Sequence, residues 1–203
     1  MDTTFAWIAV LVILVTSVGL LLVRDWRLSI VFLAVQYLGM FILVLQHWPL
    51  GMASVKMVAG WMGAAILGMT RSGLSIQGFD EESVWPQGRL FRLFAAGVVG
   101  LIVSASTPDV STIMADAGFA VTGGSLLLIG MGLLHLGITV SILRVTIGLM
   151  TVLSGFEILY SAVEGSVLVA ALLAIINLGL ALAGSYLLIA SSSSSSEEEI
   201  ESI

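Results

Sequence analysis

The chain has 203 residues, 59% of them hydrophobic and 10% charged, with a formal net charge of −6. A soluble domain carries about 25% charged residues, so this composition excludes an ordinary water-soluble core and reads as an all-α, polytopic integral membrane protein. The absence of cysteine excludes disulfides, thiolate metal sites and cysteine nucleophiles, and nothing basic enough to hold nucleic acid is present.

A bilayer core about 30 Å thick takes roughly 20 apolar residues per helix, which divides the chain into seven spans. The first covers about 4–23, "FAWIAVLVILVTSVGLLLV". It has no basic n-region, and its apolar run is longer than the 7–15 residues of a signal-peptide core, so it reads as a retained span. Span two, about 28–46, follows Arg24 and Arg27 and contains Gln36; span three, about 50–70, contains Lys56. Residues 1–70 thus form a three-helix front part. The connection 71–89, "RSGLSIQGFDEESVWPQGR", reads as a surface loop from its Gly, Ser and Pro content.

Four spans occupy 90–190. Span four, about 90–106, is short and crosses if Arg92 snorkels to the interface. Span five, about 124–142, carries His135; span six, about 145–163, carries Glu157; span seven, about 166–190, carries Asn177. Residues 191–203, "SSSSSSEEEIESI", read as a solvated acidic tail too polar to fold alone.

Six of the seven basic residues (Arg24, Arg27, Arg71, Arg89, Arg92 and Arg144) fall in or beside alternate connections. The positive-inside rule makes that side cytoplasmic, which puts the N-terminus outside and the C-terminus inside a cell's inner (plasma) membrane.

The seventh basic residue, Lys56, lies inside the membrane, about 12 Å below the outer boundary by helix rise, and Glu157 lies about 10 Å below the same boundary. The two are opposite in sign and matched in depth. Gln36, His135 and Asn177 fall roughly 16–18 Å from that edge, giving a polar layer supplied by five helices. An ionised side chain at the bilayer centre costs about 2.5–3.5 kcal/mol on insertion scales, so such residues are candidates for ion paths. Two readings of Glu157 and Lys56 stay open, an ion-handling site and a buried pair that fixes helix register. His135 reads as a relay member or an interhelical hydrogen bonder, and Gln36 and Asn177 as relay members or helix–helix glue. One histidine and one glutamate fall short of a metal ligand set.

Small residues recur at three- and four-residue intervals in "GMGLLHLG" and "GLALAGSY", a spacing that permits close helix approach and that ordinary transmembrane glycine usage explains. Twenty residues separate Gln36 from Lys56 and Glu157 from Asn177, an interval any two adjacent spans share and weak ground for a parallel repeat. No Walker A, dinucleotide-binding or H-E-x-x-H pattern occurs. The only histidines are His47, at an interface, and His135, so no Ser-His-Asp arrangement is in prospect, and span seven lacks a lysine for a retinal Schiff base. No catalytic residue and no cofactor are expected.

The last three spans, "HLGITVSILRVTIGLMTVLSGFEILYSAVEGSVLVAALLAIINLGLALAGSYLL", resemble the small three-helix NuoK-type subunit of complex I and its counterparts in Mrp antiporters. Arg144 stands at that family's basic turn, and Gly155, Phe156, Glu157 and Ile158 at its G-L-E-I-like stretch. With "RLSIVFLAVQYLGMFILVL" and the lysine-bearing "ASVKMVAGWMGAAIL" in front, the chain is similar to the hydrogenase-4 component E group. The resemblance makes 124–190 a NuoK-like unit and implies a subunit, not catalytic alone, of a redox-linked complex translocating protons or sodium. Its partners would be antiporter-like and redox membrane subunits, besides the lipid bilayer. Glu157 would be the relay carboxylate, tuned by Lys56, with His135 and Asn177 lining the path. The family's next helix carries a second glutamate, and Asn177 is the nearest candidate here, so a two-carboxylate relay would be incomplete. The rival expectations are a structural scaffold without transport and a stand-alone secondary transporter.

Overall fold

The computed structural model describes the backbone of residues 3–74 and 88–201, and side chains from 4 to 74 and from 88 to 193. Most of the expected loop 71–89 and the carboxylates of the expected tail therefore lie outside the described residues.

The described residues form seven helices, α1 (Thr3–Leu22), α2 (Trp26–Val44), α3 (Leu50–Gly73), α4 (Arg89–Ile113), α5 (Phe119–Ile138), α6 (Ile142–Ser161) and α7 (Val167–Glu201), with a 3-10 turn at Ala115–Ala117. All seven are long and apolar enough to cross a membrane, as the sequence predicts. The outward faces make the same point from the opposite direction. Leu11, Leu101 and Leu168 are 61%, 71% and 75% exposed on the bundle, an arrangement suited to a hydrocarbon solvent.

The helices form one bundle in which the front three interleave with the rest: α3 packs against α7, and α1 against α5. At one end Arg92 Nη1 donates to Leu21 O at 3.1 Å, and Arg144 Nη2 to Val23 O at 3.0 Å, both at the C-terminal end of α1. Those free carbonyls carry the negative end of the helix dipole, so guanidinium groups suit them. At the other end Trp48 Nε1 donates to Glu164 O at 2.9 Å, and His47 Nε2 lies 2.9 Å from Asp116 O. The bundle thus gathers Arg24, Arg92 and Arg144 at one end and the arginine-free connections at the other.

Three boundaries differ from expectation. Helix α4 continues to Ile113 through Pro108, where the sequence reads as a loop. Proline removes one backbone donor, yet the helix continues past it, and hydroxyls on both sides bond back to helix carbonyls: Thr107 to Val103 O, Ser111 to Pro108 O and Thr112 to Asp109 O, at 2.6, 2.8 and 2.6 Å. Gly118, at φ 73°, then reverses the chain in a conformation that disfavours other side chains, and α5 starts at Phe119, five residues earlier than expected. Helix α7 runs on past 190 to Glu201 instead of giving way to a separate tail. Ser191 and Ser192 bond back to Leu188 O and Ile189 O, so the serine run continues the helix.

Candidate functional site

Helix α6 is the most enclosed of the seven, with 61% of its apolar window buried against 11% for α4. Its own hydroxyls are satisfied within the helix, Thr151 on Ile147 O and Ser154 on Met150 O. Glycine lets neighbours approach it. A Cβ at Gly155 would lie 2.8 Å from Ser125 O, and Ser125 Oγ donates to Gly155 O at 2.7 Å. Helix α5 is therefore docked on α6 two residues before Glu157.

Helix α3 presents a buried face of Ala53, Lys56, Ala59, Gly60, Gly63, Ala64 and Leu67, small residues interrupted by one lysine. A Cβ at Gly63 would press on Met150 of α6 and Ala181 of α7, and one at Gly60 would fall on the ring of Tyr37. This close approach brings Lys56 to α6.

Lys56 Nζ lies 2.6 Å from Glu157 Oε1, and both side chains are 1% exposed. Lys56 is six residues from the start of α3 and Glu157 four from the end of α6, about 9 Å and 6 Å along their axes. The two charges that the sequence places inside the spans meet, and both lie nearer the helix ends than the counts from Trp48 and Glu164 give, because α3 starts at Leu50 and α6 ends at Ser161.

Beside the pair lies a second polar contact, and one of its members escapes the sequence reading. The Tyr37 hydroxyl donates to Asn177 Oδ1 at 2.9 Å, joining α2 to α7. The available signal was a tyrosine in mid-span, whose hydroxyl must find a partner once buried. In composition, however, it reads as one more aromatic.

Gln36 is buried, and neither atom of its amide has a hydrogen-bond partner; the same holds for Glu157 Oε2 and Asn177 Nδ2. Buried polar atoms normally have partners, so these four depart from the usual pairing, and one of them belongs to the ion pair itself.

His135 is placed elsewhere. It lies in the last turn of α5, its Cδ2 3.4 Å from where a Cβ on Gly148 would sit, nine residues or about 13 Å along α6 from Glu157. The early start of α5 carries it towards the arginine-bearing end. The expected layer of five residues is thus a cluster of Lys56, Glu157, Tyr37 and Asn177, with Gln36 next to Tyr37 in the chain and His135 apart.

Among the described residues no group of three or more His, Cys, Asp or Glu side chains converges as a metal site would require. A cleft of about 310 Å³ lies between Ile113–Ala117 and Ala162–Val163, and no residue of the pair lines it. What the cluster can do chemically is hold two opposite charges in a low-dielectric interior. Neutralising the carboxylate would remove the attraction that holds the ammonium. Comparison with protein-family models, curated proteins and solved structures finds no match for the chain.

Proposed function

We propose that the chain is an integral membrane subunit of an ion-translocating complex, in which Glu157 accepts and releases the moving charge and Lys56 is its counter-charge. The observation that carries this reading is the buried pair at 2.6 Å whose second carboxylate oxygen has no partner. A pair kept only for stability is poorly motivated, because well-packed apolar replacements of buried pairs are often neutral or stabilising by about 1–4 kcal/mol. Register is already served by Gly63 against Met150 and Ala181, and by Gly155 against Ser125.

The resemblance to NuoK-type and hydrogenase-4 component E subunits adds the setting: redox and antiporter-like membrane partners, and protons or sodium as the cargo. The arginine-bearing end faces the cytoplasm in this reading, by the positive-inside rule.

The test is purification in mild detergent with bound partners, identification of those partners by mass spectrometry, and reconstitution into liposomes with an ion-sensitive dye. Glu157→Gln is expected to abolish flux in a complex that still assembles. Full flux in that variant sinks the proposal. The scaffold reading draws on the closure of the pair, 1% exposed on both sides. It expects the same variant to lose assembly and leave per-complex flux unchanged.

A further inference from the structure

An ion-handling pair must open, and opening a buried pair strands two charges. Removing one partner of such a pair is strongly destabilising for this reason. The geometry points to Tyr37 as the residue that limits this cost: its hydroxyl exchanges Asn177 for Glu157 as hydrogen-bond acceptor when Lys56 withdraws. The inference rests on the function proposed above and adds a positioning residue to it.

Three observations converge on Tyr37. Its ring occupies the notch left by Gly60, one turn after Lys56 on the same buried face of α3, so a movement of Lys56's helix is transmitted to the ring. Its hydroxyl is bonded to α7 through Asn177, one turn from Ala181, and Ala181 meets Met150 of α6 at Gly63, so the hydroxyl sits about one turn deeper in the bundle than the Lys56–Glu157 pair. The free carboxylate oxygen, Glu157 Oε2, is buried and has no donor. Tyr37 thus meets α3 and α7 at once, and it brings a hydroxyl proton to within about a turn of a carboxylate with an acceptor to spare. Glu157 is paired with Lys56 of α3, and the bond between Tyr37 of α2 and Asn177 of α7 is the next polar contact along the bundle.

The exchange is one of hydrogen bonds only. The tyrosine keeps its proton throughout, Asn177 Oδ1 gives up its donor, and Glu157 Oε2 gains one. Charge-assisted hydrogen bonds are roughly twice as strong as neutral ones, so the move from amide to carboxylate is favourable in the interval when Glu157 has released its proton and the ammonium has not yet returned.

The test uses the intact complex in liposomes. Tyr37→Phe keeps the ring in the Gly60 notch and removes the hydroxyl; flux per assembled complex is expected to fall about tenfold, the equivalent of one charged hydrogen bond at 1.4 kcal/mol per decade. Unchanged flux in Tyr37→Phe together with lost flux in Glu157→Gln overturns the tyrosine's role and leaves the proposed function standing. Unchanged flux in both overturns both.

A second measurement covers a Tyr37→Phe variant that fails to assemble. Site-specific incorporation of an isotope-labelled tyrosine at position 37 separates its band from those of Tyr160, Tyr186 and every partner tyrosine. Infrared difference spectra of that complex across the titration of the buried carboxyl should then show the tyrosine band changing together with the carboxyl band. A carboxyl band that changes while the tyrosine band stays fixed overturns the exchange.

Discussion

At the scale of single residues, the cluster separates charge from packing. Lys56→Met leaves Glu157 buried and unpaired, and should lower stability by about 3–5 kcal/mol. The double change Lys56→Met with Glu157→Leu removes both charges and should recover most of that loss. Thermal unfolding in detergent of the two variants checks the pair directly; equal losses in both would mean that packing, and not charge, is what the lysine supplies. Sequence inspection reaches this pair because two opposite charges in apolar surroundings at matched depth are conspicuous. It does not reach Tyr37. A buried hydroxyl differs from a core aromatic only in where it points, and Asn177, 140 positions away, supplies its acceptor.

At the scale of elements, glycines divide by what stands opposite them. A side chain at Gly155 would collide with Ser125 O and Ile129, the docking contact of α5 on α6. Gly155→Leu should therefore cost at least the 1–3 kcal/mol typical of overpacking. Gly97 on α4 has nothing within 4 Å of its added Cβ, and Gly97→Leu should stay within about 0.5 kcal/mol. Chemical unfolding of the two variants side by side measures the contrast, and equal effects would contradict the packing described. Both positions read alike in the sequence, as glycines in apolar runs. Pro108 shows the opposite failure, since a proline beside polar residues reads as a loop, but α4 stays helical to Ile113, with Thr107, Ser111 and Thr112 bonding back to its carbonyls.

At the scale of the whole molecule, the testable property is orientation. With no native cysteine, single cysteines can be placed at Ser72 and Glu164, exposed residues of the third and sixth connections' ends. A membrane-impermeant thiol reagent applied to intact cells should label Glu164→Cys and leave Ser72→Cys unlabelled until the membrane is opened. The reverse pattern would invert the proposed topology and with it the side from which the pair is reached.

The sequence by itself determined the number of helices and the presence of an opposite-charge pair at one depth, because bilayer thickness fixes helix length and burial of charge leaves a visible trace in composition. Only the tertiary structure decided which polar groups meet. Lateral contact depends on helix rotation and small shifts along the axis, and these are set by notches such as Gly60 and Gly155 against side chains from distant parts of the chain. That is why Tyr37 joined the cluster and His135, carried one way by the early start of α5, did not.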